Sequence, residues 1–181
     1  MATLIPFIGS CIARMTSGER GLAERLESKL DDDYLLTAEA EAIADHLAQA
    51  HQESFARGDM AVLCADAKAR DLCARTLAQR KLPVKNRLGS GDFDPTSNKI
   101  RVMTMKVSKG LVFPVGALPG VGHMPAPGED EKEAARVFYV AATRATQRLV
   151  MGVGGDGGFG MQLTQSAATG TKNASQSNHL K

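Results

Sequence analysis

The chain has 181 residues, enough for one domain of ordinary size with some length left over. Apolar residues make up 43%, and 22 Lys and Arg nearly balance 20 Asp and Glu. These values exclude wholesale disorder and a uniformly basic coat, so any surface for anions or nucleic acid must be local. No stretch reaches the ~18–20 apolar residues that span a bilayer. Cys11, Cys64 and Cys73 have no metal-ligand spacing, nor do His46, His51, His123 and His179. This predicts free thiols, no metal site and a reducing cytoplasm.

A short apolar run, Leu4 to Ile8, precedes Gly9, Ser10 and Cys11. It has no basic leader and Pro6 interrupts it, so export is not expected. Leu22, Leu26 and Leu30 lie at helical spacing, and Asp31, Asp32 and Asp33 break that pattern. Residues 1–36 form an extension without an assigned role. Thr37 predicts the cap of a helix running to about Phe55, with Ala40, Ile43, Leu47 and Ala50 on one face. Glu39 and Glu41 then serve as first-turn acids favoured by the helix dipole.

Met60 to Ala65 is almost wholly apolar and reads as a buried strand. Asp66 caps a helix to about Arg80, whose buried stripe is Ala69, Leu72, Cys73, Thr76 and Leu77. Strands follow at Leu82–Lys85, Lys99–Met105 and Phe113–Leu118, the last with Pro114 near its start. Residues 87–98 are a loop rich in Gly, Ser, Asp and Pro, and residues 119–128 a Pro/Gly loop. Glu129 to Arg144 is a helix with acids first and arginine last. Arg148 to Val153 is the final strand. Residues 154–160 read as a flexible glycine-rich exit, and the polar end of the chain as a disordered tail. The alternation predicts an α/β domain over 37–153, with a largely parallel sheet flanked by helices.

Two segments carry chemistry. The first runs from Thr104 to Gly110 after a strand end, where open α/β sheets bind ligands. Lys106 and Lys109 project there, Ser108 adds a hydroxyl, and Gly110 allows close backbone approach. A plain strand link with two solvated lysines is the competing reading. The second is the helix ending at Arg144, a guanidinium that can stabilise charge on a transferring phosphoryl group. It can equally serve only to neutralise the helix dipole. Glu133 and Arg136 form a possible i,i+3 pair.

Together, residues 104–114 and 133–145 resemble the fifth and sixth motifs of UvrD/Rep-type superfamily 1 DNA helicases, in their carboxyl-terminal RecA-like domain. The fifth is written T-x-H-x-x-K-G-L-E-F and the sixth E-E-R-R-L-x-Y-V-A-x-T-R-A. The resemblance implies an ATP-dependent DNA helicase of the cytoplasm, with work in DNA repair. It implies that Arg144 reaches the γ-phosphate of ATP. Gly110 and Leu111 would border the nucleotide, while Thr104, Lys106, Ser108 and Lys109 would face single-stranded DNA. Tyr139 would be packing.

The departures are Lys106 for histidine, Val112 for the ribose-binding glutamate, and Ala134 and Ala135 for charged residues. No G-x-x-x-x-G-K-[ST] pattern occurs in the 181 residues, and no acidic strand end for Mg²⁺. ATP and Mg²⁺ are therefore expected only with a partner P-loop domain, none being held by this chain alone. A truncated helicase piece without turnover, acting as a binding module, is the alternative. Gly152 to Gly157 fits G-x-G-x-x-G after a strand, but no following helix is expected, which leaves a dinucleotide enzyme as the third reading.

Overall fold

The computed structural model describes residues 2–5, 16–17, 32–89, 94, 96–155 and 157–166. The leucine pattern over 20–30, Cys11, His179 and the tail 167–181 lie outside the described residues. The elements in chain order are β1 (Ala2–Ile5), α1 (Asp32–Gln52), β2 (Met60–Cys64), α2 (Ala67–Gln79) and β3 (Val84–Asn86). Then come β4 (Ile100–Thr104), β5 (Phe113–Leu118), α3 (Glu131–Ala142), β6 (Ala145–Gly152) and a last helix, α4, over 158–166.

Among the described residues six strands form one sheet in the order β1-β6-β5-β2-β4-β3, and every neighbouring pair is parallel. This is the expected α/β class. Helices cover both faces, so the central strands are buried on both sides. All five residues of β2 are buried. Met60, Val62 and Cys64 face a core with Ile43 and Leu47 of α1 and Cys73 and Leu77 of α2. Ala61 and Leu63 face a second core with Ala134 and Ala141 of α3 and Phe159 of α4. Each fully buried Leu or Ile contributes about 1.5–3 kcal/mol, so α1 and α2 are fixed mainly by these stripes.

Local chemistry sets most element ends. Asp66 accepts a 2.8 Å hydrogen bond from the Ala69 N–H and starts α2. Asp130 does the same for the Glu133 N–H at the head of α3. Pro114 lies at a register shift in the β5–β6 ladder, between Phe113 and Val115, and the β2 ladder begins only at Val115. Its missing N–H therefore falls where the pairing is already interrupted.

Three expectations differ from the structure. α1 begins at Asp32, so Thr37, expected at the cap, lies inside the helix. The helix thus starts within the aspartate run that sequence reading took as a break. The described part of 154–160, expected as a flexible exit, packs against the 120–124 loop. Gly157 N–H donates to the Gly122 carbonyl at 2.7 Å, and Phe159 N–H to the Met124 carbonyl at 3.1 Å. Phe159 then lies 5.9 Å from Phe138, ring to ring, and anchors α4.

Glu39 is the third difference. It is only 6% exposed, not a solvated first-turn acid. Its Oε2 accepts from the Gly120 N–H and its Oε1 from the Gly154 N–H, both at 2.7 Å. One carboxylate thus ties α1 to the loops that leave β5 and β6. Burial pushes its pKa up to about 7, against the pull of the two N–H bonds. The folded state therefore holds a proton that the unfolded state has released between pH 4.5 and about 7. Stability falls as pH rises through that window, by up to about 3 kcal/mol from this group. Urea midpoints measured from pH 5 to pH 8 should show this decline in the native chain and a flatter profile in Glu39→Gln. Parallel profiles would refute it.

Candidate functional site

The site begins where β4 stops. From Thr104 the chain makes a 3-10 turn over Met105–Ser108, passes Lys109 and Gly110, and enters β5 at Phe113. Eight residues, 105 to 112, thus link two parallel strands across the buried strand β2. Met105 and Leu111 pack into the second core and hold this crossover on the sheet. Ser108 is fully buried and its hydroxyl donates to the Met105 carbonyl at 2.6 Å. It closes the turn from inside the core, whereas sequence reading set it on the DNA track. Thr104 is half-buried, whereas Lys106, Lys109 and Gly110 are exposed.

Gly110 has φ 83°. A Cβ there would meet nothing within 4 Å, so the demand for glycine is conformational, not spatial. The turn delivers the Leu111 carbonyl to Arg144. Arg144 Nη1 donates to it at 3.2 Å, and Arg144 Nε donates to the Val140 carbonyl at 3.0 Å. The Arg144 carbonyl accepts from the Phe113 N–H at 2.8 Å. Side chain and backbone of Arg144 are both fixed, and the unused Nη hydrogens remain to meet a ligand.

Between the crossover and α3 lies an open cleft of about 340 Å³. Its floor is Met105, Val137 and Val140. Lys106 and Lys109 line one wall, while Arg136, Arg144 and the single carboxylate of Glu133 line the other. Sequence reading set Lys106 and Lys109 on a DNA track and Arg144 on the nucleotide; the structure brings all three to one cleft. It also adds Arg136 and Glu133, read before only as a surface pair, which they are at 3.5 Å. The signal was available: 133, 136/137, 140 and 144 recur at helical spacing on one face.

The place of the cleft differs from expectation. Thr104 is at the carboxyl end of β4, as predicted, but Arg144 stands beside the amino ends of β5 and β6, where Phe113 pairs with Ala145. The cleft follows the crossover from one end of the sheet toward the other. Tyr139, expected to pack, is 69% exposed, and Val112 is 64% exposed. Ala134 is fully buried against the sheet, so a charged residue at that position would be driven into the core.

Residues 85–154 match the family model of the UvrD-like helicase C-terminal domain. Over these residues the chain is UvrD-like. The matched residues run from β3 past the end of β6 and include the whole cleft. The C-terminal domain of a possible DNA helicase from Lactobacillus plantarum WCFS1 shares the fold, with a TM-score of 0.55 and 18% identity. That likeness covers 68% of this chain and 71% of the other. The fold of this UvrD-like domain is RecA-like. No curated protein matches the chain.

The glycine run of the UvrD-like domain is not the dinucleotide loop its spacing suggests, although α4 does follow it. A Cβ on Gly152 would lie 2.2 Å from Glu39 Oε2, and one on Gly122 would lie 2.0 Å from the Gly154 carbonyl oxygen. These glycines let the chain pack on its own backbone and fill the space that a pyrophosphate would need. Gly122→Ala should therefore lower the urea midpoint more than Gly110→Ala, which costs only about 1–2 kcal/mol of left-handed strain. The reverse order would contradict the packing described here.

Proposed function

We propose that this UvrD-like domain is the second RecA-like half of an ATP-dependent DNA-unwinding motor. A P-loop domain, elsewhere in a longer polypeptide or on another chain, supplies the phosphate cradle and the Mg²⁺ site. Phosphoryl transfer needs charge stabilisation around the γ-phosphate, and a guanidinium from a facing domain can provide it. The observation that supports this reading is Arg144 held by the Leu111 and Val140 carbonyls at the wall of a cationic cleft. The arginine is oriented before any ligand arrives, so its ordering entropy is already met by the fold.

Single-stranded DNA is the proposed second ligand, approached from the crossover through Thr104, Lys106 and Lys109. Ser108 has no direct part in it. Gly110 and Leu111 act by holding Arg144 as much as by bordering the nucleotide. The buried, free thiols of Cys64 and Cys73 fit a reducing cytoplasm. No helix among the described residues is long and apolar enough to cross a membrane.

A binding module without turnover is the second reading, favoured by Val112. A valine 64% exposed beside the Leu111 carbonyl cannot accept a hydrogen bond from a ribose hydroxyl. The two readings separate in one experiment. The chain mixed with a P-loop half should hydrolyse ATP in response to single-stranded DNA. Arg144→Ala should lower that rate by about 10³-fold or more, with the fold intact by circular dichroism. An unchanged rate in Arg144→Ala would remove Arg144 from the chemistry, and no hydrolysis in any mixture would favour the binding module.

A further inference from the structure

We infer that Arg101, a residue of β4 outside the cleft, is a positioning residue for Arg144 and acts through the ring of Phe113. The inference rests on the role proposed above for Arg144 and adds a residue with no assigned part in it. Phe113 opens β5 and is the backbone neighbour of Arg144 across the sheet. Its N–H donates to the Arg144 carbonyl at 2.8 Å, and its carbonyl accepts from the Thr146 hydroxyl at 3.4 Å. It also pairs in register with Ala145. All of these bonds lie on the β6 side. On the β2 side the ladder starts only at Val115, which pairs with Met60. Among the described residues Phe113 thus has no ladder partner on that side, and its ring has to be held in another way.

Arg101 supplies that hold. It is only 5% exposed, and it reaches over β2 from the strand beyond. Its register partner on β2 is Ala61, whose methyl group fills little of the space between β4 and β5. Two strand spacings span ~10 Å, within reach of a long side chain meeting a large ring. Arg101 Cζ stands over the Phe113 ring, 6.0 Å from its centre. The guanidinium is itself anchored. Nη1 donates to the Gly58 carbonyl just before β2, and Nη2 to the Asp94 carbonyl at 2.8 Å. Burying a charge is costly, and an apolar side chain of similar length would fill the same volume. What the arginine adds is direction, because a planar cation bonded at two points fixes where the ring sits. Phe113 is 2% exposed and shares its core with Met105 and Leu111, which hold the crossover down. A displaced ring would carry the Phe113 N–H with it, and the acceptor of that N–H is the Arg144 carbonyl.

Two measurements on Arg101→Met and Arg101→Lys test this. In the full chain alone, amide hydrogen exchange at Phe113 should be about ten-fold faster in Arg101→Met, while Val62 in the middle of β2 keeps its rate. Arg101→Lys retains the cation and should fall between the two, and it carries the same test if Arg101→Met does not fold. Beside a P-loop half, Arg101→Met should lower the DNA-stimulated kcat about ten-fold with the KM for ATP unchanged. Placed in a Phe113→Leu chain, Arg101→Met should cause no further loss, because the ring is the route. Unchanged exchange at Phe113 would overturn the inference, and so would equal acceleration at Phe113 and Val62, the mark of general loosening. A raised KM with kcat intact, or a full extra loss in the Phe113→Leu chain, would overturn it as well. If no mixture hydrolyses ATP, the proposed function fails, while the exchange rates still decide whether Arg101 holds Phe113.

Discussion

The arrangement of the cleft depends on how short the connection from β4 to β5 is. Parallel strands are usually joined by a dozen residues or more, most often through a helix. Here eight residues must travel from the carboxyl end of one strand to the amino end of the other, over β2. There is no room for a helix beyond one 3-10 turn, so the backbone groups that follow it have no helical partners. The Leu111 carbonyl is one of these. It finds its donor in Arg144, and that bond ties the crossover to the end of α3. A constraint of chain length thus becomes an oriented guanidinium.

The two faces of the sheet divide the work. Toward α1 and α2 the packing is aliphatic, with the buried Cys64 and Cys73 side by side; the neighbouring thiol and burial push the Cys64 thiol up. The other face carries the crossover, α3 and the cleft. There the helix is held close by small residues, Ala134 and Ala141, which leaves Val137 and Val140 to line the cavity. Glu39 bridges the faces from α1 to the loops after β5 and β6.

Sequence patterns made the sheet legible wherever the pattern was local. The unbroken apolar run of β2, the Asp66 cap and the stripe through Ala69, Cys73 and Leu77 read directly, and so did the helix carrying Arg144. The motif residues lie on the two segments that meet at the cleft. What sequence reading missed depended on distant partners. Nothing near Glu39 in the chain shows that its acceptors are needed 81 and 115 residues away. α4 opens on Gly158 and Gly160, poor helix formers, and is held by Phe159 against Phe138. The polar first half of β6, from Ala145 to Gln147, has no strand signature and is fixed by pairing with β5. Ser108 read as a ligand group because its type fits one; only its burial shows that its hydroxyl is consumed by the turn.

The borders of the sheet have a consequence of their own. One border is β3, three residues long with Lys85 at its middle, and the other is β1, four residues long. An intruding strand from a neighbouring molecule would find few unpaired amides at either margin, and at β3 a charge as well. Growth of the sheet from molecule to molecule, the route toward fibrils, is thereby discouraged even though its interior strands are rich in Val, Leu and Met.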